Sequence, residues 1–250
     1  MTIGGLTWDT TGKRYYYTGI DAVALYVEND GWYKNPVAWN GVTAVNESPS
    51  GAESNKLYAD NIEYLNLISK EEFGCTLECY QAPEAFYPCD GILSLLGGKM
   101  LIHGQPRKSF CLVYRVQKGS DTVEAGGKVE GAPYGAGYVY HIVYGCKAAP
   151  SSRDFGTVND SPEAITYSYE ISTTPVTDAT KVIGGTTVNI LPTKDNKAAL
   201  TQCAHLEIDG TTLTTDQETA LKALLYPSSP TNALAPTPYQ IAAACGYTNT

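Results

Sequence analysis

The sequence predicts a mainly β fold: two packed antiparallel sheets, a β-sandwich or barrel, with a flanking α-helix and long loops. Three observations point there. Short runs alternate apolar and polar residues, turn-forming residues cluster between the runs, and helical periodicity is confined to the C-terminal quarter. The clearest run is Glu72 to Tyr80, in which Phe73, Cys75, Leu77 and Cys79 alternate with Glu72, Gly74, Thr76, Glu78 and Tyr80. That is a strand with one apolar face and one largely polar face.

Taken in order, residues 1–19 are polar, contain glycine and end in Tyr15-Tyr16-Tyr17, which reads as an N-terminal arm. Residues 20–250 read as a single domain. Ile20 to Glu28 is a strand closed by the turn Asn29-Asp30-Gly31. Val37 to Glu47 is a second strand anchored by Trp39, Val42 and Val45, followed by a loop at 46–55. Extended structure resumes at Ile62 to Ile68. Asp90 to Gly97 is expected to be a short helix capped by Asp90 and ended by Gly97-Gly98. Further strands are expected at Phe110–Gln117, Tyr138–Cys146, Ile165–Ser172 and His205–Ile208. The connections at 118–137 and 147–163 are long. Thr215-x-x-Glu218 reads as a capping box, opening a helix at about 216–226 that Pro227 ends. A last helix at about 238–245 starts from Thr237 and Pro238.

With 43% hydrophobic and 17% charged residues the chain has the composition of a folded protein. It carries 19 Tyr against 4 Phe and 3 Trp, which suits either a sheet core or contact surfaces, and composition leaves both open. The net charge is −9. No cluster of Lys and Arg exceeds two adjacent residues, so a phosphate-gripping basic patch is absent from the sequence. Seven cysteines cannot all pair within one chain, and the N-terminal residues lack the pattern of a signal peptide. Synthesis in a reducing cytoplasm with free thiols is the expectation. No apolar run is long enough for a membrane helix.

Candidate chemistry is sparse. Cys75 and Cys79 would sit one above the other on a helix, but on a strand they lie roughly 13 Å apart, too far for one tetrahedral metal site or a disulfide. They read as core thiols. His141, within Tyr140-His141-Ile142-Val143, reads as a satisfied sheet histidine. Gly131 to Gly137 lacks the Gly-Lys-Ser/Thr ending of a phosphate loop, and Gly-x-Ser-x-Gly and His-Glu-x-x-His do not occur. No enzymatic activity, cofactor or metal is expected. Charge is less evenly spread: residues 47–90 hold nine acids against two bases, leaving seven of the nine net negative charges there.

Residues 17–175 resemble the major tail tube protein of long-tailed, non-contractile bacteriophages. Trp39 to Glu53, Tyr58 to Tyr64 and Glu71 to Phe86 carry the first part of the resemblance. Arg107 to Phe110, Gly145 to Pro150 and Val158 to Glu170 carry the second. It implies a structural virion protein that forms hexameric rings, stacked into the tail tube through which DNA passes during ejection. Partners would be the chain itself, a tape-measure protein and tail-end proteins. DNA would be in transit without specific binding, no membrane would be involved, and assembly would take place in the host cytoplasm. On this reading Glu72 and Glu78 are candidates to face the lumen, where rings of carboxylates would repel phosphate. Tyr15, Tyr16, Tyr17, Glu47, Pro49, Glu53 and Asp154 are candidates for contacts between subunits or rings. The alternative is a β-sandwich carbohydrate-binding or adhesin module, with Trp32, Trp39 and tyrosines stacking on sugars.

Overall fold

The structure, a computed structural model, describes residues 2–3, 5–121, 135–153, 155–157, 164–183, 185–194 and 198–247. One large antiparallel sheet dominates. Its strands are β1 (Tyr15–Asn29), β2 (Trp32–Ala38), β3 (Val42–Glu47), β6 (Gly74–Cys79), β9 (Phe110–Ser120), β10 (Gly135–Ala148), β11 (Tyr167–Thr173) and β14 (His205–Asp209). Among the described residues, five two-stranded sheets accompany it, the three longest being β4 (Ser54–Ala59) with β5 (Ile62–Ile68), β7 (Leu93–Leu95) with β8 (Met100–Ile102), and β12 (Thr180–Ile183) with β13 (Thr186–Asn189). Two helices follow, α1 (Thr215–Leu225) and α2 (Pro238–Ala244).

The order across the sheet is β2-β1-β9-β10-β11-β6-β3, with β14 paired to β10. The two ends of this path, β2 and β3, are consecutive in the chain and joined only by Trp39-Asn40-Gly41. Three residues span at most roughly 14 Å, so the sheet must curl until its ends approach. The Trp39 N–H donates to the Val23 carbonyl at 2.8 Å, which extends the pairing of β1 with β2 up to the turn. The fold is therefore one strongly curled antiparallel sheet, with β2 and β3 as its two edges.

Curling gives each face its own core. Inside lie Leu25, Leu77, Phe86, Phe110, Leu112, Tyr114, Val143, Tyr169 and Ile171 with Cys75, Cys79, Cys89 and Cys146. Trp39, Phe86, Phe110 and Tyr169 meet there as a ring cluster, with centroids 4.5–6.4 Å apart. Tyr26, Cys111, Val113, Tyr140, Ile142 and Tyr144 point outward from the same strands and are covered by Leu221 and Leu225 of α1 and Ile241 of α2. Strict alternation along Phe110 to Tyr114 sends successive side chains to the two cores.

One glycine makes this topology possible. β10 pairs β14 over Val139–Val143 and β11 over Cys146–Ala148. Between them Gly145 has φ +65°, and a Cβ there would lie 1.9 Å from the Thr174 carbonyl oxygen. The register with β9 shifts at the same place. This bulge lets one strand change partners.

Several expectations need correction. The run at 37–47 is two strands, because Trp39 turns into the core and Gly41 takes a positive φ. The arm's Tyr15-Tyr16-Tyr17 belongs to β1, paired with Lys118, Gly119 and Ser120. A strand at 54–59 lies where a loop was expected to run into extended structure. Asp90–Gly97 is not a helix: Asp90 is buried between Arg107 at 3.2 Å and Arg153 at 2.9 Å, and a turn leads into hairpin β7–β8. With its carboxylate committed to two guanidinium groups, Asp90 has no oxygen aimed at helix N–H groups. The capping box of α1 is Thr214 with Gln217, one residue earlier than expected. Glu218 instead accepts from the Tyr140 hydroxyl at 3.0 Å and pairs with Lys222. The cap of α2 is Thr237 with Gln240, and Pro238 opens the helix as expected.

Candidate functional site

Two features stand apart from ordinary core and surface. The first is a set of exposed apolar arms. Every residue of hairpin β4–β5 is exposed, including Leu57, Tyr58, Ile62, Tyr64, Leu65, Leu67 and Ile68. Leu57 stands directly opposite Leu65, and the adjacent Leu67 and Ile68 point to opposite faces, so both faces carry apolar side chains. The arm leaves the domain at Gly51, whose φ of +90° places a would-be Cβ 2.3 Å from the Lys70 carbonyl. Hairpin β7–β8 adds Leu95, Leu96 and Met100 at the surface, and the N-terminal segment adds Leu6 and Trp8.

The expected contact residues divide. Tyr15, Tyr16 and Tyr17 are half exposed, but the Lys118 ammonium lies 4.5 Å from the Tyr15 ring centre and the Tyr16 ring covers Gly119. Pro49 and Glu53 are exposed beside the hairpin base, where the Glu53 N–H donates to Ser69 Oγ at 2.9 Å. Asp154 lies outside the described residues. Glu78 stands on the outward face of β6, accepting from Asn46 Nδ2 at 3.3 Å. Glu72 is exposed before the strand begins, at an isolated bridge with Ser50. The expected alternation of β6 holds, with Cys75, Leu77 and Cys79 buried, but the strand starts at Gly74 and not Glu72.

Glu47 forms the second feature. Its Oε1 accepts from the Tyr114 hydroxyl at 2.6 Å and lies 3.3 Å from His141 Nδ1 and 3.9 Å from His205 Nε2. The two imidazole nitrogens are 3.1 Å apart. Three strands contribute: β3 brings Glu47, β10 His141 and β14 His205. The β10–β14 register puts His141 opposite Glu207 and Val143 opposite His205, so both imidazoles reach the inner face near the end of β3. Aromatic rings hold them. Tyr114 stacks on His141 at 4.7 Å and Phe73 on His205 at 4.3 Å. The hydrogen bond with His141, supported by the Tyr114 hydroxyl against the opposing cost of burial, holds the Glu47 carboxyl down at about 2. Burial pushes the His205 imidazole below its ordinary range, with Glu47 pulling the other way. The Tyr114 phenol is pushed up by burial and by its bond to the carboxylate.

The seven cysteines are free thiols, six of them buried. Burial pushes Cys75, Cys89 and Cys203 up to about 12, and Cys79 to about 11, which keeps them protonated and unreactive.

No family model matches the sequence, and no curated protein matches it at a significant level. Among solved structures the chain is similar to one from the anti-feeding prophage (AFP) baseplate, solved by cryo-EM and 6-fold symmetrised. The identity is 9% and the TM-score 0.35, over 68% of this chain and 94% of that one. It is also similar to Hcp1 from Flavobacterium johnsoniae, at 9% identity and a TM-score of 0.26, over 68% of this chain and 99% of that one. At these TM-scores neither likeness bears on what this chain does.

Sequence reasoning placed His141 in a strand but did not join it to Glu47 and His205. The three are 64 to 158 positions apart, and only the pairing of β10 with β14 and the curl of the sheet unite them. The one available signal was that two of the three histidines lie in runs expected to be strands.

Proposed function

We propose that the chain is a structural subunit that assembles with its own copies into rings, and that the rings stack into a tube around a channel. The observation that carries this is hairpin β4–β5. A two-stranded hairpin alone in water is marginally stable, and soluble monomers rarely leave so much contiguous apolar surface uncovered. Each leucine or isoleucine it buries on a partner contributes about 1.5–3 kcal/mol. A second copy is the natural occupant, because the same arm recurs on every subunit and a head-to-tail contact that closes by rotation makes a ring. The resemblance of residues 17–175 to tail tube proteins supports a tube in a phage tail, with tape-measure and tail-end proteins as further partners.

On this reading Glu72 and Glu78 contribute to an acidic channel wall that DNA passes without sticking. Tyr17, Pro49 and Glu53 remain available for contacts between subunits. Glu47 acts within its own chain, holding the base of the arm to the sheet. The carbohydrate-binding alternative is weaker, because Trp39 is 3% exposed inside the core and cannot stack on a sugar. Trp32 is half buried, with the Lys181 ammonium 4.3 Å from its ring centre.

The test is the double substitution Leu57→Ser and Leu65→Ser. Both side chains are exposed, so the melting temperature of the monomer should stay close to that of the unaltered chain. Sedimentation velocity at high concentration should show large assemblies for the unaltered chain and a monomer for the variant. Equal sedimentation of the two would contradict the role given to the hairpin.

A further inference from the structure

We propose that Glu47, His141 and His205 form a binding site for a divalent transition metal of the zinc type, with a fourth position left for water or another ligand. The ligand atoms already stand where such an ion needs them. Glu47 Oε1, His141 Nδ1 and His205 Nε2 are separated by 3.1, 3.3 and 3.9 Å. A tetrahedral ion with ligands at about 2.0–2.1 Å requires separations of roughly 3.3–3.4 Å. The three atoms lie within 4.8 Å of one another, so closing around an ion asks for shifts of a few tenths of an ångström.

The donor set selects the metal. Two imidazoles and one carboxylate suit Zn²⁺, Co²⁺, Fe²⁺ or Ni²⁺, whereas Mg²⁺ and Ca²⁺ prefer sites built of oxygen. The surroundings fit as well. Tyr114 and Phe73 fix the two rings by stacking, and the Tyr114 hydroxyl orients the carboxylate, the kind of outer support that tunes a metal ligand. His141 and His205 are mostly covered while Glu47 is partly open, which leaves a route for an ion to enter. Without metal, the three groups settle for one imidazole–imidazole hydrogen bond and a shared carboxylate. With metal, one ion ties edge strand β3 to β10 and β14, a few residues before the chain enters the exposed arm. The site is independent of the tube reading.

The test uses the full chain, stripped with a chelator and titrated with Zn²⁺ and, separately, with Co²⁺. The expected result is one equivalent of zinc per chain, a raised melting temperature, and visible absorption of four-coordinate cobalt without a thiolate-to-metal band. Glu47→Gln and His205→Gln should each weaken zinc binding by more than about 100-fold. Tyr114→Phe, which removes only the outer hydrogen bond, should weaken it by about 10–100-fold. His103→Gln, at an exposed residue outside the cluster, should leave it unchanged. Failure to bind a full equivalent at tens of micromolar zinc would overturn the proposal. Full binding by folded Glu47→Gln and His205→Gln variants would overturn it too. If those variants do not fold, the cobalt spectrum of the unaltered chain still decides: an intense thiolate band would place the metal on cysteines and sink the assignment.

Discussion

At the residue scale, Glu47 and His205 each tie the stability of the fold to pH. The Glu47–His141–His205 group is faced by Tyr114 from β9, Cys75 from β6 and Glu207 from β14. Burial depresses the His205 imidazole, so the unfolded chain takes up a proton near pH 6.5 that the native chain resists. The stability this represents is complete above about pH 6.5 and is lost as pH falls through the depressed native value. Glu47 has the same sign further down. Its carboxyl moves from 4.5 to about 2 on folding, so its contribution is complete above the unfolded value and vanishes towards pH 2. The urea midpoint of the metal-free chain should therefore fall in two stages on acidification, first below about pH 6.5 and again below about pH 4.5. His205→Gln should remove the upper stage and keep the lower. A midpoint that stays flat from pH 7 to pH 4.5 would contradict this account. The tyrosines settle at this scale too. Tyr26, Tyr140 and Tyr144 are buried with their hydroxyls bonded to Leu225, Glu218 and Pro236, while Tyr58, Tyr64 and Tyr80 are exposed. Core and surface both use them, which is why composition could not choose.

At the element scale, the strands were legible where one face is buried and the other wet, as in Cys75-Thr76-Leu77-Glu78-Cys79. They were also legible where an apolar run ends at a turn, as at Asn29-Asp30-Gly31. The breaks were not. Trp39 sits in an apolar run, and nothing local shows that it turns inward to Phe86 while its indole N–H reaches the Gln81 carbonyl at 2.8 Å. Asp90 looked like a helix cap because its partners, Arg107 and Arg153, are 17 and 63 positions away. Hairpin β4–β5 was half seen, since Ser54 to Ala59 follows a loop with no signal of its own. Gly145 is the most demanding single position among these elements. Gly145→Ala would place a methyl against the Thr174 carbonyl and hold a non-glycine residue at positive φ. It should cost at least about 2 kcal/mol in urea unfolding. A loss under about 0.5 kcal/mol would mean that β10 can change partners without this bulge.

At the scale of the whole molecule, the described residues divide into a curled sheet with a core on each face and arms with little of their own to pack on. The inner face of the sheet is buried, and α1 and α2 cover its outward face along β1, β9 and β10, while Ser168, Glu170 and Ser172 leave the outward face of β11 exposed. The arms differ: Leu57, Tyr58, Ile62, Tyr64, Leu65, Leu67 and Ile68 are exposed among the described residues. The fold class was readable from alternation and turn spacing, because those are local. The curl of the sheet, the exposure of the arm and the meeting of His141 with His205 were not, because each depends on strands distant in sequence. The most direct measurement is electron microscopy of negatively stained, purified protein at high concentration, followed over time to allow for slow nucleation. The account predicts sixfold rings or hollow tubes of uniform width. A population that stays monomeric at every concentration, even when mixed with preformed tail tips, would contradict it.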